Sequence, residues 1–384
     1  MHDRGGPGGP AVPAARAPGP RARRPARARR ADRDRHRGDV PARDLQPAAL
    51  DAPGDRARAA GDRAAHARRG ARDDRRALVS APTTERLRLA DLGAADLRAW
   101  SALAERAGED NAFGLPEYLR PAALHLAGGD AVDLLVVRDG DRWLACVPLV
   151  GRVKFSDLLV PCARTWNHPY AFLWTPLVDR DATDVVAVAL AGAPALWRGR
   201  GSVVLEAIAD GPLAAALRAL GPGTLVHGVQ QRAAVVRRPQ DDYVSGHLDG
   251  RARREHARTR RILARELGGA PAFVETDDDE ALDRFLVLEA AGWKGAAGSA
   301  MASDPSHEAF LRAVWRGFRA RGAAHLLELR HGPRVAASVL CVRAGDTIYS
   351  LKTAHDETLR RGAPGVQLMA DLATWFHEAT DATL

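Results

Sequence analysis

The chain has 384 residues and is 46% hydrophobic, enough for a globular body with a real core. No apolar run approaches the ~20 residues that cross a bilayer, and the start lacks the apolar segment of a secretory signal, so neither a membrane span nor export is expected. The three cysteines, Cys146, Cys162 and Cys341, form no CxxC pair or metal-ligand run, which predicts buried thiols, a cytoplasmic protein and no metal.

The formal charge of +8 is unevenly spread. Residues 1–80 hold 20 Arg and 10 acidic residues, a net of +10, which leaves the remainder at −2. The basic balance thus describes a tail of Arg, Ala, Pro and Gly that cannot bury enough surface to order itself. It is expected to be a solvated, disordered segment, with a mis-called start as one explanation. No aromatic residue interleaves its arginines, so only non-specific contact with nucleic acid is expected of it.

From Thr83 the pattern changes. ERLRLADLGAADLRAWSALAERA predicts a short strand, then a helix with Leu97, Trp100, Leu103 and Ala104 on one face. AVDLLVVRDGDRWLACVPLV predicts a hairpin turning at Asp139-Gly140. Strands are expected at Ala171–Pro176 and Ser202–Ile208, and helices near 182–198 and 211–220. A second half opens near Asp241. Its basic helix should stop at Gly268-Gly269, with Leu263 and Leu267 on the buried side. A strand AFVETD, a helix with acidic residues in its first turn, and the helix HEAFLRAVWRGFRARG follow. Three strands with turns at His331-Gly332-Pro333 and Ala344-Gly345-Asp346 complete a meander. Both halves share this rough order, so the expected fold is mixed α/β with a duplicated unit. The units would cover 83–235 and 241–384.

The last strand feeds a turn, LRRGAPGVQ, and then a helix with no evident side-chain cap. Pro364 suits a first helical position, and Gly365 permits close approach to the backbone. Free N–H groups at Gly365, Val366 and Gln367, with Arg360 and Arg361 before them, make the parts of a phosphate site. Only three lysines occur, Lys154, Lys294 and Lys352, and two of them fall in suspected site segments. A lysine is a compact point charge that arginine does not imitate at a fitted site. Glu289 lies in an apolar helix stretch and is expected to be exposed. The arginines of 251–265 are expected to form a solvated helix face, and Cys341 to be core. No nucleophile-elbow, Walker A or zincin motif is present.

The strand, Arg/Gly turn and helix, together with GWKGAAGSAM (292–301), His307, Phe310 and WNHPYAFLWTPLVD (166–179), resemble the GNAT-type acyltransferases of the cellulose-biosynthesis CelD family. These are relatives of the FemAB peptidyltransferases, which carry two GNAT-like units. The resemblance extends over roughly 83–384. It implies two tandem GNAT-like units and acetyl-CoA or another acyl-CoA as cosubstrate. Arg361, Gly362, Pro364, Gly365, Val366 and Gln367 would hold its pyrophosphate. The strand 348–354 would lie beside the pantetheine arm. His355, Asp356 and Lys352 would be the catalytic candidates, and Trp293 and Lys294 would stand near the acceptor. The implied activity is acyl transfer to a small-molecule or saccharide amine, in polysaccharide or cell-envelope biosynthesis. Two other readings remain open: a FemAB-like transferase using aminoacyl-tRNA, with the basic helix meeting RNA, and a non-catalytic GNAT-like module with a polyanion-binding tail. Family members continue after the last helix with another strand. Here it would barely begin at Ala382-Thr383-Leu384, so the second unit is expected to be truncated and its cofactor slot to lack one wall.

Overall fold

Two sets of period-two apolar alternation become two sheets, and helices cover both faces of each. The computed structural model describes residues 81–155, 158–193, 202–238, 246 and 248–384. The basic tail (1–80) and residues 241–245, where the second half was expected to open, lie outside the described residues. All described residues belong to one compact unit.

The first sheet contains β1 (Thr83–Arg88), β2 (Asp133–Asp139), β3 (Arg142–Phe155), β4 (Leu158–Thr165) and β6 (Ser202–Val204), in that order, with β5 (Leu177–Val178) also on β3. All pairs are antiparallel except β4–β6. The Asp139-Gly140 turn forms as expected, with Gly140 at φ 58. Helices α1 (Ala94–Arg106) and α2 (Pro116–His125) cover one face; α3 (Thr183–Gly192) and α4 (Pro212–Ala219) cover the other.

The second sheet is an antiparallel meander ordered β10 (Thr347–His355), β9 (Arg334–Ala344), β8 (Ala324–His331), β7 (Ala272–Thr276). Helices α6 (Asp279–Ala291) and α8 (Pro305–Arg319) lie on one face, α5 (Gly250–Leu267) and α9 (Pro364–Glu378) on the other. Side chains cap three of these starts. Asp249 accepts from Arg251 and Ala252, Asp278 from Ala281, and Asp304 from Ser306. Gly268, at φ 85, ends α5 as expected.

One apolar core spans both sheets. Trp100, Phe113 and Tyr118 from the first half meet Phe285, Phe310, Trp315 and Phe318 from the second. Tyr118 packs edge-on to Phe310 with centroids 5.4 Å apart. At the rim, Asp110 accepts from the backbone of Asp346, and its carbonyl accepts from the Tyr349 hydroxyl. The three cysteines are buried and form no disulfide, and burial pushes the Cys341 thiol up to about 12. No described helix is long and apolar enough to cross a membrane.

The segment 171–176 is not the strand expected of it. Its carbonyls are taken instead by the Asn111 amide, which donates to Thr175 at 2.7 Å, while the Trp174 N–H goes to Ala207. Those bonds serve the backbone while aromatic rings enter the core, so no ladder is needed. The strand after Ser202 stops at Val204, short of Ile208. Residues 382–384 do run beside the start of β10. Ile348 donates to Leu384, and Arg237 donates to Thr383 from the other side.

Asp179 is fully buried and receives Arg106 at 2.9 Å and Arg142 at 2.7 Å. Burial alone would raise its carboxyl, but the bonds from both arginines hold it below the usual range. A depressed carboxyl stabilises the fold above its unfolded pKa of about 4, and that stability is lost as pH falls through the folded value. Asp179→Ala should therefore cost about 3 kcal/mol at pH 7, the lower end for a buried pair because both arginines are partly solvated. Urea melts should show that cost shrinking at pH 3; an equal cost at both pH values would contradict the ionic account.

Candidate active site

The edge strand β10 carries the centre of the site. A bulge between Ser350 and Lys352 leaves Leu351 without a partner on β9. Such an extra residue interrupts the ladder and re-aims the side chains beside it. The strand then enters the 3-10 turn Glu357–Gly362. Gly362 is required there, because a Cβ would meet the Leu263 Cα at 2.8 Å, which fixes the turn against α5. Ala363 adopts a left-handed conformation, φ 49, just before Pro364 opens α9 with no side-chain cap. Strained backbone of this kind persists only where its surroundings fix it.

The expected cofactor residues fall in three groups. Arg361 and Val366 are exposed at the helix start, and Gly365 lies beside His355, whose Nδ1 would be 3.7 Å from an added Cβ. Pro364 is buried at the first helical position, and Gly362 is buried against α5. Gln367 points the other way. Its side chain is fully buried and donates to the His256 carbonyl at 3.1 Å and Thr259 Oγ1 at 3.0 Å. Its N–H already closes the first helical bond, to Ala363. The open N–H groups expected at three residues are therefore those of Gly365 and Val366.

Asp356 is not free to act as a base. It caps the 3-10 turn by accepting from Thr358 at 2.9 Å and pairs with Arg334 at 3.3 Å. Burial opposes ionisation, but these partners keep the carboxyl below its usual range. Trp293 is 60% exposed at the start of α7 (Trp293–Ala296), with its N–H on Glu357 Oε1 at 2.7 Å.

The two lysines singled out in the sequence meet at one carboxylate. Glu289, expected to be exposed, is 2% exposed, because the last turn of α6 faces β10 instead of solvent. Its Oε1 accepts from Lys352 Nζ at 2.9 Å and Lys294 Nζ at 3.3 Å, and its Oε2 from the Met301 N–H at 2.9 Å. Lys294 also donates to the Thr353 carbonyl on β10 at 2.9 Å. Gly295 makes that reach possible. A Cβ there would lie 1.8 Å from the Ala290 carbonyl, so only glycine lets α7 fold back onto α6. Burial raises the Glu289 carboxyl, but Met301, Lys352 and Lys294 outweigh it and hold the group below the usual range. Two ammonium groups against one carboxylate leave a net positive centre beside the bulge.

The N-terminal half adds a residue that the sequence did not single out. Tyr170 lies under Lys352, whose Nζ is 5.1 Å from the ring centroid, and its hydroxyl is 2.9 Å from His307 Nδ1. The signal available was the aromatic density of WNHPYAFLW. What it could not show was that this loop reaches a helix 137 residues away. Nearby His168 is buried, and desolvation lowers it to about 4, so it stays neutral. Among the described residues, no group of three His, Cys, Asp or Glu is arranged to hold a metal.

Removing the shared carboxylate tests the cluster. Glu289→Ala strands two partly buried ammonium groups and should cost about 3 kcal/mol in a chemical melt. Adding Lys352→Met should restore part of that loss; purely additive losses would mean the three groups are not coupled.

A family model described as an acetyltransferase (GNAT) domain matches residues 250–384. No curated protein matches the chain. Among solved structures, one titled "Crystal structure of FemX" is similar with a TM-score of 0.49 and 12% identity, over 78% of this chain and 87% of that one. Residues 250–384, which carry β10, α9 and the Lys–Glu cluster, thus match the GNAT-type acetyltransferase domain to which the sequence resemblance pointed.

Proposed function

We propose that the protein is an acyl-CoA-dependent N-acyltransferase with two GNAT-like units, 83–235 and 241–384, of which the second holds the cosubstrate. The observation that carries this reading is the edge strand β10 leading, through the 3-10 turn Glu357–Gly362, into the uncapped start of α9. Past Ile348, which donates to Leu384, and apart from the Thr353 carbonyl taken by Lys294, the edge strand offers backbone groups that suit an extended amide-bearing arm such as pantetheine. The helix start offers the N–H groups of Gly365 and Val366, with Arg361 beside them, which suit a pyrophosphate.

The chemistry then falls at the bulge. As the amine attacks the thioester carbonyl, negative charge grows on its oxygen. The Lys352 ammonium, held by Glu289 beside the bulge, would stabilise such a charge. Glu289 holds both lysines in place instead of acting as a base, since three donors already occupy it. His355 sits three residues further along the strand than Lys352, about 10 Å by strand rise, and faces the helix start. The acceptor is an amine, as a saccharide or small molecule of polysaccharide or cell-envelope biosynthesis in the cytoplasm.

Calorimetric titration of acetyl-CoA into the full chain tests the cofactor site. Saturable binding is expected. Arg361→Ala should weaken it about tenfold, the worth of one charge-assisted bond, and Gly365→Asp should abolish it by placing a carboxylate at the phosphate position. No binding by the folded parent would sink this reading.

A second reading has its own observation. On α5, Arg251, Arg254, Arg258, Arg261 and Arg265 are all exposed and fall at three- and four-residue spacing, a single stripe along the helix. The stripe suits an extended polyanion, as a FemAB-like transferase using aminoacyl-tRNA requires. That reading expects tRNA binding that falls steeply with salt and survives removal of residues 1–80. Binding that vanishes with the tail would assign it to the tail, the behaviour of a non-catalytic module.

A further inference from the structure

An amine acceptor arrives mostly as an ammonium ion and must lose a proton before it can attack. The carboxylates near β10 are already used: Glu289 by three donors, Asp356 by Arg334 and Thr358. His168 is buried, and its Nδ1 accepts from the Tyr170 N–H at 3.3 Å.

One pair is differently placed. Tyr170 is fixed by the Tyr118 hydroxyl, which donates to its carbonyl at 2.6 Å, and by stacking on Phe310 with centroids 5.7 Å apart. Its hydroxyl meets His307 Nδ1 at 2.9 Å. The His307 Nε2 faces Asp304 Oδ2 at 4.0 Å, and in the Nε2–H tautomer, which the relay uses, Nδ1 accepts from the Tyr170 hydroxyl. The imidazole is partly open to solvent, with 34% of its side chain exposed.

We propose that Tyr170 and His307 form a proton relay for the acceptor amine, so that the N-terminal half contributes directly to the active site. This rests on the N-acyltransferase reading. The ammonium gives one proton to Tyr170 Oη as the tyrosine hydroxyl proton passes to His307 Nδ1. Tyr170 ends neutral, and His307 ends as an imidazolium facing Asp304. The neutral amine then attacks the thioester. The C–N bond forms, the C–S bond breaks, and the second amine proton goes through solvent to the leaving thiolate. His307 returns its proton to solvent. The charged groups facing the pair are Asp304, Lys352 and, behind Lys352, Glu289. Burial, with Glu289 and Asp304 nearby, keeps the phenol above its usual range, so Tyr170 passes a proton on without remaining ionised.

The test compares two nucleophiles on the full chain by release of CoA from acetyl-CoA: glucosamine, largely protonated near pH 7, and hydroxylamine, largely neutral there. Tyr170→Phe and His307→Gln should each cut release with glucosamine by about 100-fold, the scale of general-base catalysis, with hydroxylamine release within about threefold and acetyl-CoA affinity unchanged. Equal effects on the two nucleophiles, whether both rates are kept or both lost, would overturn the relay. Absence of acetyl-CoA binding by the parent would overturn the cofactor reading instead. In that case, or if the parent uses neither nucleophile, nitrogen NMR of His307 decides. The relay requires an Nε2–H tautomer and a titration that changes in Tyr170→Phe; identical titration in both proteins would overturn it.

Discussion

A buried carboxylate cannot stand alone, and Glu289 sets the terms for the second half of the molecule. Leaving it unpaired would cost several kcal/mol, so the chain must bring donors to it. It takes them from three places: β10 through Lys352, the α6–α7 junction through Lys294, and the backbone at Met301. Those bonds fix the edge strand, the GWKG turn and the segment leading into α8 around one point. Lys294 ties the arrangement back to β10 through the Thr353 carbonyl. The positive excess of the cluster is therefore positional as well as electrostatic: it lies beside the bulge because the carboxylate that holds it lies there.

The aromatic core supplies the second constraint. Phe113, Tyr118 and Phe310 pack across the two sheets, and the loop 166–174 lies over this joint. Tyr170 is carried by that packing to His307 and Lys352. The N-terminal half is thereby more than a support. Its sheet is tied by the Asp179–arginine pair, while its loop reaches Lys352 and His307 of the second half.

Much of the architecture was legible because it is local. The Asp139-Gly140 hairpin, the Gly268 stop and the β8–β10 meander each follow from a few adjacent residues. The segment 171–176 misled because its alternation matches a strand, yet Asn111, over 60 residues away, supplies the hydrogen bond that a neighbouring strand would have given. Asp356 and Gln367 were visible as residues of the right type, but their partners Arg334 and Thr259 come from other elements. Scarcity of lysine was the one global signal that led to the cluster, since it marked Lys294 and Lys352 without showing that they share Glu289.

The sequence by itself determined most of the elements, their order, the uncapped helix after Pro364 and the resemblance that residues 250–384 carry, because each depends on short-range periodicity, turn chemistry or motif. Only the tertiary structure decided which charges are spent and which face the edge strand. Ionisation and hydrogen bonding depend on neighbours within a few ångströms in space, and here those neighbours lie tens to more than a hundred residues apart along the chain.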